Sequence, residues 1–200
     1  MPEGPECRKM AQDLAKSWSG LSLCEVFVNS GRYIKKPITG IDQLNKKMPL
    51  PIVGAGCHGK FVYAILGNET FLWFTLGMTG GFSEDKSTHS RVGFIFSKKT
   101  TWFNDQRNFG TVKVVHGKHK MIEKLQSMGP DMLAEEVPDD KFIEQLRTKP
   151  EWELCKAIMD QSIIAGVGNY IKADSLWLAR LAPNRKIKDC SDKELSVSPN

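Results

Sequence analysis

Met1-Pro2-Glu3-Gly4-Pro5-Glu6-Cys7-Arg8-Lys9-Met10-Ala11-Gln12-Asp13-Leu14-Ala15-Lys16-Ser17-Trp18 opens the chain, and its reading fixes what the later elements must pack against. The apolar positions Cys7, Met10, Ala11, Leu14, Ala15 and Trp18 follow the i, i+3, i+4, i+7 spacing of an amphipathic helix. Pro5 suits a first helical turn, and Glu3 and Glu6 complement the N-terminal dipole. Such a helix needs an apolar sheet to lie on, and once docked it holds the N-terminus in place. Removal of Met1, usual before a small residue, makes Pro2 a secondary amine beside the Glu3 carboxyl. An α-amino group titrates near ~8, so a useful fraction is unprotonated at neutral pH and can attack a sugar aldehyde carbon to form an iminium. Alone, the same residues also read as a plain helix start.

After Ser19-Gly20 the pattern changes to short β-rich segments. Strands are expected over Leu23 to Asn29, Ile52 to Val53, Phe61 to Leu66, Thr70 to Thr75, Val92 to Ser97, Thr101 to Phe103 and Thr111 to Val115. Gly67-Asn68 and Gly80-Gly81 read as turns between them. Strands at this spacing imply an antiparallel sandwich or barrel. From Lys118 the pattern becomes helical, over Met121 to Ser127, Asp139 to Arg147, Glu151 to Gln161 and Asn169 to about Leu181. The expected fold class is α+β with two domains: residues 1–117, an N-terminal helix with a β-sandwich, and residues 118–200, helical.

A chain of 200 residues with 40% hydrophobic content buries a substantial core. It carries no long apolar run and no signal-peptide pattern, so a soluble, non-secreted protein is expected. The five cysteines, Cys7, Cys24, Cys57, Cys155 and Cys190, include no Cys-x-x-Cys pair and read as reduced thiols without a zinc site. The net charge of +5 permits a polyanionic partner without demanding one. Lys98, Lys99, Lys113, His116, Lys118, His119, Lys120 and Lys124 cluster in sequence, which fits either an anion-binding face or an ordinary solvated one.

Four stretches carry possible chemistry. Lys60, in Gly59-Lys60-Phe61, is either a strand-end surface residue or a cation for a phosphate or proton transfer near Pro2. Leu76-Gly77-Met78-Thr79-Gly80 presents a methionine at an exposed turn, which suits an apolar wedge for a nucleic-acid stack. Asp105-Gln106-Arg107-Asn108-Phe109-Gly110 presents a cation and an aromatic at another. Together these turns supply what base extrusion needs, side chains that fill the gap left by a flipped nucleotide. Ile164-Ala165-Gly166-Val167-Gly168-Asn169-Tyr170 joins two helices, with Asn169 expected as an N-cap and the helix start as an anion site or simply a helix hairpin.

The ordered set of Pro2-Glu3 with Glu6, Lys60, Leu-Gly-Met-Thr-Gly, Asp-x-Arg-x-Phe-Gly and Gly-Val-Gly-Asn-Tyr resembles the Fpg/Nei family of DNA glycosylases, over residues 1 to about 190. The resemblance implies a bifunctional DNA glycosylase and abasic-site lyase, acting as a monomer on damaged or abasic-site double-stranded DNA. It makes the second domain a helix-two-turn-helix module. Pro2 resembles the Schiff-base nucleophile at C1′, Glu3 the acid that protonates the deoxyribose ring oxygen, and Lys60 the lysine near the flanking phosphates. Met78, Arg107 and Phe109 resemble the void-filling trio, Gly168 and Asn169 a phosphate-binding turn, Arg91 a further DNA contact and Glu6 a supporting carboxylate. Such a protein works inside the cell, in a prokaryotic cytoplasm or a nucleus.

Family members usually continue into a C-terminal zinc finger or a zincless equivalent. With no Cys-x-x-Cys pair in this sequence, no zinc or other cofactor is expected in the chain, and the helical domain is expected to be incomplete at its end. The alternative is a catalytically weak damaged-DNA-binding module, and a third possibility is a fragment that folds poorly. Oxidised pyrimidines, formamidopyrimidines and hydantoins all fit as substrates, with the Pro-Glu-Gly-Pro-Glu start leaning toward the endonuclease VIII-like branch.

Overall fold

The structure, a computed structural model, describes residues 2–196. Met1 and residues 197–200, on which the removal of the initiator and the reading of the chain's end rest, lie outside the described residues. Packing divides the chain into two units, Met1–Lys124 and Leu125–Asn200. The division falls within a helix, α3, that starts at Lys118 beside the 117/118 boundary expected from composition.

In the first unit α1 spans Gly4–Trp18 and is followed by β1 Ser22–Val28, a 3-10 turn Gly31–Ile34 and α2 Ile41–Asn45. Then come β2 Leu50–His58, β3 Phe61–Leu66, β4 Thr70–Thr75, β5 Gly80–Ser83, β6 Ser90–Phe96, β7 Thr100–Asp105, β8 Thr111–His116 and α3 Lys118–Gln126. The strands form one antiparallel sheet in the order β5-β7-β6-β1-β2-β3-β4-β8. Within the sheet its two halves are joined where Ser22 and Leu23 of β1 pair with Pro51 and Leu50 of β2, next to the Ile52 amide that donates to Leu21 O at 2.9 Å.

The halves fold face to face, as the expected sandwich requires. Phe74 on β4 is six places along the sheet from β5, yet its ring lies 5.0 Å from Phe82 on β5 and 5.7 Å from Phe94 on β6. Only a sheet doubled over its own apolar face brings those rings together. The last residue of α1 enters the same core: Trp18 lies 4.9 Å from Phe96 and 6.2 Å from Phe82, and its indole N–H donates to Thr101 Oγ1 at 3.0 Å. The helix therefore hangs from a buried anchor, with the N-terminal residues at its other end.

Two strands differ from expectation. β2 runs nine residues, where only Ile52 and Val53 read as strand, because Gly54, Ala55 and Gly56 carry no strand signal. Gly56 has a packing reason, since a Cβ there would stand 2.8 Å from the Tyr63 hydroxyl. β5 occupies a stretch read as a turn: Gly80 pairs with Asp105 of β7 and donates its amide to Leu76 O at 2.7 Å. A Cβ on Gly80 would lie 2.3 Å from that oxygen.

The second unit holds α4 Asp139–Arg147, α5 Leu154–Ala157, α6 Asn169–Leu178, a 3-10 turn Ile187–Asp189 and α7 Asp192–Leu195. Leu146, Leu154, Ile163, Leu176 and Ile187 lie in its core. The helix expected over Glu151 to Gln161 shrinks to α5, because Asp160 starts a new turn by accepting the Ser162 amide at 2.8 Å and its hydroxyl at 2.6 Å. α6 ends at Leu178 rather than Leu181 in a left-handed cap: Arg180 has φ +55, the Leu181 amide donates to Leu176 O at 2.9 Å, and the Arg180 amide to Trp177 O at 3.0 Å. Among the described residues no helix is long and apolar enough to cross a membrane.

Candidate active site

Glu3 is the N-cap of α1 and forms a capping box with Glu6, whose Oε2 accepts the Glu3 amide at 2.9 Å. Its side chain is buried, at 1% exposure, while Pro2 beside it is half-buried and Glu6 exposed. A carboxyl enclosed at a helix start is held in one place by the whole helix, which is what a positioned acid requires. Lys60 reaches this spot from the two-residue turn joining β2 to β3, where Gly59 has φ +54 at the position that favours glycine. The Lys60 carbonyl stands 3.9 Å from Cys7 Sγ, one turn along α1 from Glu3.

Burial pulls the Lys60 ammonium below its ordinary range, and the Glu3 and Cys7 charges oppose that shift. Lys60 and Glu3 are therefore near enough to feel each other in a partly desolvated corner. The structure thus brings Pro2, Glu3, Glu6 and Lys60 to the same end of the first unit.

Cys7 and Cys57 also belong to this corner, although neither was singled out as a site residue. Burial pushes the Cys7 thiol up to about 12, with Cys57 adding to the shift and Lys60 opposing it. At pH 8 about one Cys7 in ten thousand is then a thiolate. Iodoacetamide at pH 8 is expected to alkylate the exposed Cys24 and leave Cys7 unmodified, as read by peptide mass spectrometry. Equal labelling of the two under native conditions would contradict the packing of α1 on β2.

The two turns proposed to carry a wedge lie against each other. Gly77 has φ +57, and a Cβ there would stand 2.8 Å from the Gly110 amide nitrogen. Met78 and Phe109 are 41% and 60% exposed, and Arg107 Nη1 lies 3.3 Å from Met78 Sδ. Beneath these tips Asp105 is buried: its Oδ1 accepts the Thr79 hydroxyl at 2.5 Å and its Oδ2 the Gly110 amide at 2.7 Å. Thr79 Oγ1 in turn accepts the Arg107 amide at 3.0 Å.

Arg91, expected as a DNA contact, is occupied within the protein. Its Nε donates to Asp105 O at 2.8 Å, Nη1 to Ser30 Oγ at 2.9 Å and Nη2 to Gln106 O at 3.3 Å. Arg32, not singled out from sequence, donates from Nη1 to the Asn108 and Gly110 carbonyls, both at 3.4 Å.

In the second unit, Gly168 rather than Asn169 is the N-cap of α6. Gly168 is extended and its carbonyl accepts the Lys172 amide at 3.0 Å, which makes Asn169 the first helical residue. Asn169 Oδ1 instead accepts from Lys172 Nζ at 2.9 Å. Gln161 staples the turn before it, donating to Met159 O at 2.9 Å and Val167 O at 3.0 Å and accepting the Gly166 amide at 2.9 Å.

The basic cluster is partly spent. Lys99 is committed to Glu84 at 2.5 Å and to the Ser17 hydroxyl, and Lys124 lies 5.5 Å above the Phe61 ring. Burial holds the His116 ring below its usual range against a hydrogen bond to Gly40 O, and Lys47 and Lys120 reinforce the shift. Among the described residues no three His, Cys, Asp or Glu side chains are grouped as metal ligands.

Comparison with known proteins follows the same division. A model described as the formamidopyrimidine-DNA glycosylase N-terminal domain matches residues 1–112, and one described as the formamidopyrimidine-DNA glycosylase H2TH domain matches residues 128–198. The formamidopyrimidine-DNA glycosylase of Thermus thermophilus is 33% identical over 138 residues, 68% of this chain and 51% of that protein. That of Wolbachia sp. subsp. Drosophila simulans is 30% identical over 201 residues, 97% of this chain and 72% of that one. The chain thus spans about half the length of the first relative and under three quarters of the second. The crystal structure of MutM (Fpg) from Thermus thermophilus superimposes with a TM-score of 0.84 at 28% identity, covering 97% of this chain and 70% of that one. Lactococcus lactis Fpg, solved in complex with DNA containing N7-benzyl-Fapy-dG, shares the fold with a TM-score of 0.84 at 23% identity, covering 97% of this chain and 73% of that one.

Proposed function

The chain belongs to the formamidopyrimidine-DNA glycosylase (Fpg/Nei) family, and from that premise we propose that it is a base-excision-repair DNA glycosylase that also cleaves the abasic site through a Schiff base on Pro2. The observation that carries this reading is the enclosed Glu3 carboxyl, fixed by the start of α1 next to Pro2 in the chain and near enough to the partly desolvated Lys60 to act on its charge.

The steps follow from these groups. With the α-amine of Pro2 freed, Glu3 gives its proton to the ring oxygen of the damaged nucleotide, the C1′–O4′ bond breaks, and the Pro2 nitrogen attacks C1′. The oxidised base then departs with its bonding electrons and takes up the proton shed by the Pro2 nitrogen, which leaves an iminium joining Pro2 to C1′. The iminium acidifies the C2′ hydrogens; loss of one of these protons and of the 3′ phosphate is β-elimination, and the reaction either ends there or goes on to δ-elimination of the 5′ phosphate, which leaves a one-nucleotide gap. Water hydrolyses the iminium and restores the amine. Lys60 lies where a cation meets the phosphates beside the lesion or relays the proton.

Met78, Arg107 and Phe109 fill the space vacated by the extruded nucleotide. Gly168 and Asn169, at the start of α6, bind a backbone phosphate through amides and the helix dipole. Arg91 acts indirectly, through its hold on the Asp105–Gln106 backbone. These steps assign no cofactor.

The test is borohydride trapping on a duplex with one abasic site. A covalent complex is expected with the native chain, and its loss is expected when the amino terminus is blocked or in Pro2→Gly. Absence of any complex with damaged-duplex binding intact would replace this reading by that of a DNA-binding module.

A further inference from the structure

Building on the repair activity proposed above, we propose that Asp105 is a positioning residue that latches the Met78 turn and the Arg107–Phe109 turn into one preorganised wedge, with Thr79 as its second member. A carboxylate at 1% exposure is tolerated only when its oxygens are hydrogen-bonded. Asp105 divides its two oxygens between the two turns, Oδ1 to the Thr79 hydroxyl at 2.5 Å and Oδ2 to the Gly110 amide at 2.7 Å. Thr79 spends its hydroxyl proton on Asp105 and a lone pair on the Arg107 amide, 3.0 Å away. The bonds Gly110 N–H to Asp105, Thr79 O–H to Asp105 and Arg107 N–H to Thr79 therefore close a ring around the Arg107-Asn108-Phe109 turn and tie it to Met78.

The ring is braced from outside. Arg91 holds the Asp105 carbonyl at 2.8 Å, and Arg32 the Asn108 and Gly110 carbonyls at 3.4 Å. Asn108 keeps φ +56, a left-handed conformation that asparagine tolerates better than most residues. The tips are unlike their base: Met78 and Phe109 stand 41% and 60% exposed on backbones that are hydrogen-bonded beneath them. Apolar tips on an ordered base lose little freedom on entering a base stack, whereas loose turns would have to be ordered at that moment.

The latch should therefore matter for a duplex, whose stack must be filled, and far less for a single strand. The experiment compares initial trapping rates on a duplex with one abasic site and on the same abasic strand without its complement, together with amide hydrogen exchange at Arg107 and Gly110. Asp105→Asn and Thr79→Val are expected to lower the duplex-to-single-strand rate ratio by about tenfold or more and to accelerate both amides. Thr79→Ser, which keeps the hydroxyl, is expected to restore the ratio to the native value.

An unchanged ratio would overturn the latch, and so would parallel loss on both substrates with a lowered Tm, the mark of general unfolding. A native chain inactive on both substrates would defeat the proposed function instead. The amide exchange of Asp105→Asn decides the latch without any activity: native protection at Arg107 and Gly110, or faster exchange of the core strand amides as well, overturns it, and faster exchange at these two with the core strands unchanged supports it.

Discussion

Under the proposed repair chemistry, Glu3→Gln is expected to lower excision of an oxidised base from duplex DNA by about 10²–10⁴-fold, the range that a positioned general acid contributes. The size of the effect follows from where Glu3 sits. It is 1% exposed and caps α1, so bulk water has no ready access to replace the missing proton donor. Glutamine keeps the length and an acceptor oxygen for the cap, so the Tm should stay near the native value while the chemistry is lost. Single-turnover excision with enzyme in excess separates the chemical step from binding. A loss smaller than about tenfold in that experiment would remove Glu3 from the role of acid.

Trp18→Ala destabilises the first unit by about 3–5 kcal/mol, the usual cost of deleting a large aromatic from a packed core. Trp18 is fully buried against Phe74, Phe82, Phe94 and Phe96. Its loss also leaves Thr101 Oγ1, in a residue 3% exposed, without the indole N–H that it accepts at 3.0 Å. Domains are stable by only about 5–15 kcal/mol in total, so such a loss approaches the margin. Urea unfolding read by circular dichroism should show a lower midpoint at an unchanged slope. A change below about 1 kcal/mol would mean that the rings repack around the cavity, contrary to the close packing of Phe74, Phe82, Phe94 and Phe96 around Trp18. Trp18→Phe keeps most of the apolar contact and should cost less than the alanine change, which separates ring loss from loss of the hydrogen bond.

The elements most legible in the sequence were those whose pattern repeats along the chain. The spacing of Cys7 to Trp18 sets a helix whose inner face, Cys7, Ala11, Leu14 and Trp18, is buried as that spacing requires. β3, β4 and α4 fall where the sequence pattern puts them. The misses have local causes. Glycine carries no side-chain signal, so the Gly-rich β2 and β5 read as short or as turns, although their glycines are there to admit Tyr63 and the Leu76 carbonyl. Asp160 and Arg180 ended helices through side-chain and left-handed caps that periodicity does not register.

The candidate site divides in the same way. Pro2, Glu3, Lys60, Met78, Arg107 and Phe109 stood out as residue types matched to a chemistry. Asp105 and Arg32 did not, because their work is to hydrogen-bond backbone or buried groups on segments distant in sequence. Lys99 and His116 looked basic in a one-dimensional count, and the fold spends one on Glu84 and, by burial, works against the charge of the other.

The anchoring of α1 by Trp18 also sets an order of events during synthesis. The partners of that indole come late: Thr101 is 83 residues further along the chain. At about 5–20 residues per second a ribosome takes several seconds to deliver them. Until then the helix has no complete core to dock into. Enclosure of the Glu3 carboxyl therefore waits on strands made long after it, and the proposed acid acquires its sheltered setting only when the first unit is nearly complete.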